Sequence, residues 1–317
     1  MRILVHEFVT AGGLSGREMP PSLAREGAAM RAALLADLAA IGRHEIVTTD
    51  EASLDVAIAS VDAVWLIAPE THGYLEGLAV QVEQHGKFLL GPGPEVIARA
   101  SDKEGLAQRL ARHGIRHPKT CVLAAGADWA PLARDIGYPL VVKPARGAGC
   151  EGVSVVHAAS DMPHAIEAAR RTSKAVLLQR YVHGTAASVS LVADGRRAAP
   201  LTLNAQDVRG SPWLSYGGGS TPLDHPFAEK AIDAAVQTCR AFPGLCGYVG
   251  VDLVLAASDV FVIEVNPRLT TAYLGARSVL EANVAELAIA ACEGRLPGPL
   301  RARQAVRFTG TGEVTFA

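Results

Sequence analysis

Gly247-Tyr248-Val249-Gly250-Val251-Asp252-Leu253-Val254-Leu255 is an apolar run that carries a single acid, and Val260-Phe261-Val262-Ile263-Glu264-Val265-Asn266 is a second run of the same kind. Both read as strands, and Ala257-Ser258-Asp259 between them reads as a three-residue hairpin loop. That loop pairs Ala256 with Val260, which places Asp252 opposite Glu264 and Gly250 opposite Asn266. A loop of even length would put the two acids on opposite faces, because side chains alternate along a strand. Directly opposed side chains lie about 4.5–5.5 Å apart at Cβ, and like charges there repel. A divalent cation removes that repulsion, and Asn266, on the face of Glu264, adds an amide oxygen. Oxygen ligands of this kind, completed by phosphates, suit Mg²⁺. A lone acid on a strand is ordinarily a solvent-facing residue; two acids in matched register before Asn266-Pro267-Arg268 are not explained that way. Pro267 ends the ladder. Arg268 then projects over the site, where a guanidinium neutralises a transferring phosphoryl group or holds a carboxylate, a structural salt bridge being its plainer role.

Upstream, Leu140-Val141-Val142-Lys143-Pro144 is an apolar strand ending in a cation, followed by Gly147-Ala148-Gly149-Cys150-Glu151-Gly152. The pattern G-x-G-x-x-G alone is a weak signal. A dinucleotide fingerprint needs a helix after it, whereas Val153-Ser154-Val155-Val156 is a strand, so the loop caps a hairpin. Glycines there let backbone N–H groups approach phosphate oxygens without a Cβ in the way. A buried ammonium is costly without an anion, so Lys143 reads as a phosphate ligand, against the plainer reading of a lysine snorkelling to solvent. The chain lacks a Walker A motif, since Gly86-Lys87-Phe88 fails the G-K-[ST] test.

Working outward, strands at 2–5, 61–68 and 88–90 alternate with a helix at 24–41, which implies a parallel sheet with covered faces. We assign 1–97 to an N-terminal α/β domain. Ser101 reads as an N-cap with Glu104 completing a capping box, opening a helix that stops at Gly114. The span 98–183 reads as a small α+β unit, with a helix at 161–171 and a strand from Val176. The remainder, 184–317, holds strands at 187–193, 198–203, 247–256 and 260–266 and helices at 226–241 and 272–293, with 204–222 read as a polar, glycine-rich loop.

Composition narrows the function classes. The 317 residues suggest two or three domains, and 49% hydrophobic with 20% charged residues is ordinary for a globular chain. A formal net charge of -2 supplies no electrostatic reason for a nucleic-acid partner. No uncharged apolar run reaches the roughly 18 residues of a membrane span, and the N-terminal apolar run is too short for a signal peptide. The five cysteines are odd in number and form no C-x-x-C, which fits a reducing cytoplasm better than a disulfide framework. The N-terminal Gly12-Gly13-x-x-Gly16 loop lacks the fingerprint spacing of a Rossmann oxidoreductase.

The order of these motifs over about 100–295 resembles the ATP-grasp superfamily. The resemblance implies a parallel-sheet pre-ATP-grasp domain followed by two α+β ATP-grasp subdomains, with ATP and Mg²⁺ as cofactors. Ser101-Asp102-Lys103 is similar to the first nucleotide lysine and Lys143 to the second. Gly147, Gly149 and Gly152 resemble the phosphate-covering flap, and Gln179-Arg180-Tyr181-Val182 the hinge that reads adenine. Asp252, Glu264 and Asn266 resemble the magnesium ligands. The chain departs from the family after the hinge, where Gly184 is followed by Thr185, Ala186 and Ala187 instead of a ribose-binding acid, leaving the ribose contact unassigned. Glu7-Phe8…Gly12-Gly13, Glu26-Gly27…Met30 and Asn266 to Tyr273 are similar to tyramine–glutamate ligases, which serve methanofuran-type cofactor biosynthesis and have bacterial relatives in one-carbon metabolism. That narrower likeness implies glutamate and an aryl-ethylamine such as tyramine, or tyrosine.

The mechanism implied is ATP-dependent joining of a carboxylate to an amine through an acyl phosphate, with Arg268 and Lys143 in catalytic roles. Substrate recognition falls to Glu7, Glu26, Asn204, Gln206, Arg209, Tyr216, Thr270 and Thr271, with Trp213 and Tyr216 available to stack on a ring. Packing is the plainer role for these aromatics, and N-capping the next helix that of Thr270 and Thr271. The partners expected are a small carboxylate and a small amine, with neither nucleic acid nor membrane, and a homodimer is left open. The rival functions are another amino-acid ligase of the superfamily and a non-catalytic ATP sensor.

Overall fold

The computed structural model describes residues 1–14, 21–49, 53–147 and 149–316, so Gly16 and Ala148 lie outside the described residues. The N-terminal part runs β1 (Arg2–Glu7), α1 (Pro21–Ile41), β2 (Glu45–Thr48), α2 (Leu54–Ala59), β3 (Ala63–Ile67), α3 (Tyr74–Gln84) and β4 (Phe88–Leu89). Its four strands pair in parallel in the order β2-β1-β3-β4. β3, Ala63–Ile67, is buried along its whole length, as a parallel strand covered on both faces must be.

Next come α4 (Pro94–Ser101), α5 (Lys103–Arg112), β5 (Thr120–Leu123), α6 (Ala130–Ile136), β6 (Leu140–Pro144), β7 (Ser154–Val156), α7 (Met162–Thr172) and β8 (Val176–Arg180). The four strands form an antiparallel sheet in the order β5-β8-β6-β7, backed by α6 and α7 through Leu123, Leu140, Val142, Ile166 and Leu178. Ser101 is not the N-cap expected from the sequence. It is the last residue of α4, and its hydroxyl donates to Ile97 O. Asp102 caps α5 instead, accepting from the Glu104 amide at 3.1 Å; a carboxylate one residue closer to the helix outcompetes the serine. α5 also belongs elsewhere than the sequence reading put it. Leu106 and Leu110 are buried in the core beneath the large sheet, with α8 as a neighbour.

The large sheet is built from β9 (Gly184–Asp194), β10 (Ala198–Arg209), β11 (Ser215–Thr221), β12 (Cys246–Ala256), β13 (Val260–Asn266), β14 (Val306–Thr309) and β15 (Val314–Phe316), with α8 (Ala228–Ala241), α9 (Ala272–Val279) and α10 (Val284–Cys292) packed on it. The strand order is β13-β12-β9-β10-β11-β14-β15. The span 204–222 is therefore mostly strand, the end of β10 and all of β11. Its glycines mark close backbone approach: a Cβ at Gly219 would meet Ala205 O at 2.2 Å, and one at Gly218 would meet Phe308 O at 2.1 Å. The helix expected over 272–293 is two helices. Asn283 interrupts it, accepting from the Glu286 amide as a new N-cap and donating to Asp37 O at 2.8 Å.

One face of the large sheet packs on α4, α5 and α8. The other meets α9 and α10, and through them α1 and the N-terminal sheet, in one continuous core that includes Ile3, Leu34, Leu38, Tyr248, Tyr273 and Val284. Arg277 and Tyr273 on α9 both bond Asp37 of α1. This docking carries α1 to the edge of the cleft described next.

Candidate active site

Asp252 of β12 does lie opposite Glu264 of β13, and Gly250 opposite Asn266. The route to that register differs from the one counted in the sequence. Ala256 N bonds Asp259 O and the last ladder pair is Leu255–Val260, so four residues, not three, lie between the last paired positions. That even loop alone would separate the acids. A bulge follows, in which Leu253 pairs with Val262 and Asp252 with Glu264, leaving Ile263 as the extra residue. The bulge adds back the one residue the loop removed and restores both acids to one face. Ile263 then lines the cleft.

The cleft, of about 790 Å³, opens between the small sheet and the large one. Lys103, Lys143, Gly147, Gly149, Gln179, Arg180, Tyr181, Val182, Asp252, Glu264, Asn266, Arg268, Glu26, Tyr216, Thr270 and Thr271 all line it. Gly152 serves the loop differently. It has φ +68, and a Cβ there would meet Ala168 O of α7 at 3.1 Å.

Two cations sit at its centre. Lys103 Nζ is 3.3 Å from Glu264 and donates to Gly147 O at 2.6 Å, tying the glycine loop to the acidic strand. Lys143, 5% exposed, donates to Gln179 Oε1 at 3.0 Å. Burial and then the charge of Lys103 push the Lys143 ammonium down to about 8. An anion between the two lysines would offset both effects.

The acids respond to their surroundings in opposite directions. Burial, then the charge of Glu264, pushes the Asp252 carboxyl up to about 7. Burial also works against ionised Glu264, but Lys103 and Lys143 outweigh it and hold that carboxyl below its usual range. Asp252 accepts from Gln206 Nε2 at 2.9 Å and from Asn266 Nδ2 at 3.1 Å. A half-buried carboxylate pair with an adjacent amide oxygen is an oxygen-only donor set, and a divalent cation would offset both the burial and the repulsion that raise the Asp252 carboxyl. These residues fit Mg²⁺. Among the described residues there is no cluster of three or more His, Cys, Asp or Glu that would hold a transition metal.

At the other end, Arg268 Nε donates to Glu70 Oε2 at 2.9 Å, and Arg268 Nη1 to Leu269 O at 3.0 Å. Burial disfavours the guanidinium charge, yet Glu70 more than compensates. The salt bridge is real, but it uses one edge of the guanidinium, and Arg268 still lines the cleft. Thr271 does not cap α9 with its side chain; its hydroxyl donates to Glu26 of α1. Tyr248 OH lies 3.3 Å from Thr270 Oγ1 and donates to Ser190 Oγ at 2.8 Å. Burial, followed by the charges of Glu26 and Asp252, keeps the Tyr216 phenol protonated.

Four of the residues expected at the substrate are elsewhere. Glu7 is buried and accepts from the amides of Val9 and Thr10, holding the turn after β1. Asn204, 0% exposed, donates to Ser188 and Ser190 inside the sheet. Arg209 is exposed and paired with Asp207 at 2.7 Å. Trp213 is 48% exposed and outside the cleft lining. Sequence reasoning missed Glu70, His117, Thr120, Ser188 and Tyr248, which bond the site residues or line the cleft. Tyr248 sits in the Asp252 strand but carries no pattern of its own, and each of the others is an isolated polar residue with no motif around it.

Two antiparallel sheets facing each other across a cation-rich, acid-paired cleft, roofed by a glycine hairpin, define a clamp for a polyanion. The chain belongs to the ATP-grasp family: the ATP-grasp domain matches residues 100–272, more than half of the chain, and a pre ATP-grasp domain matches residues 28–97. A D-alanine–D-alanine ligase of Ralstonia pickettii (strain 12J) is 31% identical over 204 residues, 61% of this chain and 61% of that protein. The chain thus aligns with about three-fifths of the length of that relative. A tyramine–L-glutamate ligase of Methanocaldococcus jannaschii is 36% identical over 115 residues, 36% of this chain and 35% of that protein. Among solved structures, an ATP-grasp superfamily protein from Archaeoglobus fulgidus superposes with TM-score 0.70 at 23% identity, covering 97% of this chain and 92% of that one. D-alanine–D-alanine ligase from Bacillus anthracis complexed with ATP superposes with TM-score 0.64 at 20% identity, covering 84% and 85%. These likenesses bear out the α/β plus α+β architecture expected from the sequence. Among the described residues no helix is long and apolar enough to cross a membrane.

Proposed function

We propose that the protein is an ATP- and Mg²⁺-dependent ligase that joins a carboxylate to an amine through an acyl phosphate, releasing ADP and phosphate. The observation that carries this reading is the pairing of Asp252 with Glu264 in one register, facing Lys103 and Lys143 across a single cleft. A nucleotide sensor has no need of a metal clamp and two phosphate cations around the position of the γ-phosphoryl group.

The apolar residues Val141, Val155 and Leu253, which line the cleft beside the hinge from Gln179 to Val182, would hold the base of ATP. Lys103 and Lys143 would hold the phosphates, and Asp252, Glu264 and Asn266 would hold Mg²⁺, which would supply charge neutralisation for the phosphates. A substrate carboxylate oxygen attacks the γ-phosphorus and the bond to ADP breaks. The amine, entering neutral, attacks the acyl carbon and loses one proton as phosphate leaves. The protein contributes positioning and charge neutralisation. Arg268, fixed by Glu70, faces the transferring group, and the hairpin from Gly147 to Gly152 excludes water that would hydrolyse the acyl phosphate.

The finer reading is glutamate as the carboxylate and tyramine or tyrosine as the amine. It is supported by the 36% identity to the tyramine–L-glutamate ligase of M. jannaschii. Glu26, beside Thr270, Thr271 and Tyr216, offers an anion to an ammonium and an aromatic wall to a ring. The Ralstonia relative favours a second reading, an amino-acid–amino-acid ligase. ADP release measured with glutamate plus tyramine, with pairs of amino acids, and with ATP alone tests both. ADP formation that needs glutamate and tyramine together supports the first; dependence on two amino acids supports the second. ATP binding without ADP release under any pair would sink the ligase reading.

A further inference from the structure

His117 lies in the segment between α5 and β5, and a chain of hydrogen bonds runs through it from the acidic strand to the phosphate lysine. Its Nδ1 is 2.8 Å from Val262 O, two residues before Glu264. A carbonyl oxygen only accepts, so Nδ1 carries the proton and Nε2 of the neutral ring is an acceptor. That Nε2 is 3.1 Å from Gln179 Nε2, which also donates to Thr120 Oγ1 at 2.8 Å. The Thr120 hydroxyl donates to Pro118 O, so it too offers a lone pair to the amide. Both groups facing this end of Gln179 therefore require NH₂ there, which turns Oε1 toward Lys143. The amide orientation follows from the Val262 carbonyl and does not rest on telling oxygen from nitrogen.

Strand register explains why these side chains meet. Thr120 is directly opposite Gln179 on the β5–β8 ladder, and Lys143 is diagonal to it on β6. Diagonal neighbours are within reach of long side chains. His117 is half-buried. Its imidazole is pushed down to about 4 by burial and then by Lys143, which keeps Nε2 free to accept.

We propose that His117 is a positioning residue for nucleotide phosphate, acting through Gln179 to hold the Lys143 ammonium in place and clipping the small sheet to the strand that carries Glu264. This rests on the ATP-binding reading of the cleft. A flipped Gln179 amide would aim N–H at an ammonium and push Lys143 out of position. Removing the imidazole permits that flip; a glutamine at 117 restores an acceptor where Nε2 stood.

The test uses calorimetric titration of the full chain with Mg·ADP and, separately, with adenosine, together with ¹⁵N NMR of the imidazole. Wild-type His117 is expected in the Nδ1–H tautomer. His117→Ala is expected to weaken Mg·ADP about tenfold, the worth of one charged hydrogen bond, and adenosine less than about twofold, with His117→Gln recovering most of the loss. An Nε2–H tautomer would overturn the proposal even if the alanine variant fails to fold. So would equal losses for ADP and adenosine, which indicate a structural role alone, or an unchanged ADP affinity in His117→Ala. Failure of the wild-type protein to bind ADP would instead overturn the ATP-site reading and this proposal with it.

Discussion

The two ends of the cleft are assembled by different means. At the proposed nucleotide end, Lys143, Gln179, Asp252, Glu264 and Asn266 all sit on strands whose registers place them. At the proposed substrate end, Glu26 comes from α1, Thr271 from the start of α9 and Glu70 from the loop after β3, joined by contacts 245 and 198 residues apart in sequence. Ladders fix the first arrangement with backbone hydrogen bonds, whereas side-chain packing between sheets fixes the second. The nucleotide end should therefore be intolerant of substitution and uniform in its chemistry, and the substrate end adjustable.

The sharpest way to break this contrast is at the ladder. Lys143→Ala and Asp252→Asn are each expected to lower ATP-dependent turnover by at least about 10³-fold while the protein stays folded, because neutralising charge on a transferring phosphoryl group is the main catalytic contribution that such sites make. ADP formation and circular dichroism measured together decide it. Activity of either variant near wild type removes that residue from the phosphate or metal site.

A smaller and more selective effect is expected at the other end. Glu26→Gln should raise the KM of the amine or carboxylate substrate by about tenfold, the loss of one charged hydrogen bond, and leave the KM of ATP within about twofold. A shift in both constants would mean that Glu26 holds the cleft together instead of reading a substrate, and the contrast between the two ends would lose its basis.

How far these two ends were legible in sequence follows the same division. The acid pair was found because alternation along two short strands is a local rule. Even so, the counting succeeded through two errors that cancelled: the loop is one residue longer than read, and the Ile263 bulge offsets it. A bulge has no reliable signature in residue types, since it depends on how the strand must bend to close the cleft. β11 was read as loop because Gly217, Gly218 and Gly219 depress strand propensity, although the neighbouring backbones leave no room for a Cβ. Asn283 breaks what looks like one helix because capping α10 and bonding α1 together outweigh continued periodicity. Glu7, Asn204 and Arg209 were assigned to substrate on proximity to motifs, and their burial or exposure was invisible without the tertiary structure. His117 and Glu70 are single polar residues, and the partners that tie them to the site, Gln179 and Arg268, lie 62 and 198 residues away in the sequence.

The Asp252–Glu264 pair yields an effect on protons. With the Asp252 carboxyl pushed to about 7 by burial and Glu264, this group is protonated more in the folded, metal-free protein than in the unfolded chain between pH 3.8 and about 7. Its contribution to stability is therefore present in acid and lost as pH rises through about 7. A cation beside the carboxyl favours the charged form, so Mg·ADP binding at pH 7 should release roughly half a proton. Calorimetry in buffers of different ionisation enthalpy measures this directly. Release should approach one proton near pH 6 and be absent there in Asp252→Asn, while near pH 8 uptake by the Lys143 ammonium, which a bound anion restores, replaces it. Proton uptake near pH 6, or release there unchanged in that variant, would contradict the assignment of Asp252 as a metal ligand.

The smallest effect belongs to Arg209, and it tests the boundary of the substrate end. The sequence places a cation at the end of a polar stretch that does reach the cleft, through Gln206 and Tyr216. The structure turns its guanidinium outward onto Asp207, on an exposed surface where solvent screens the ion pair. Gly210 and Ser211 line the cleft beside it, so a closing hairpin could still swing Arg209 inward over a bound substrate. If β10 and β11 keep the paired geometry described above, Arg209→Ala changes every KM and kcat by less than about twofold and the melting temperature hardly at all. A tenfold rise in the KM of one substrate, with ATP unaffected, would instead show that this edge moves on binding. Arg209 would then join Glu26, and the substrate end would extend onto the rim of the large sheet.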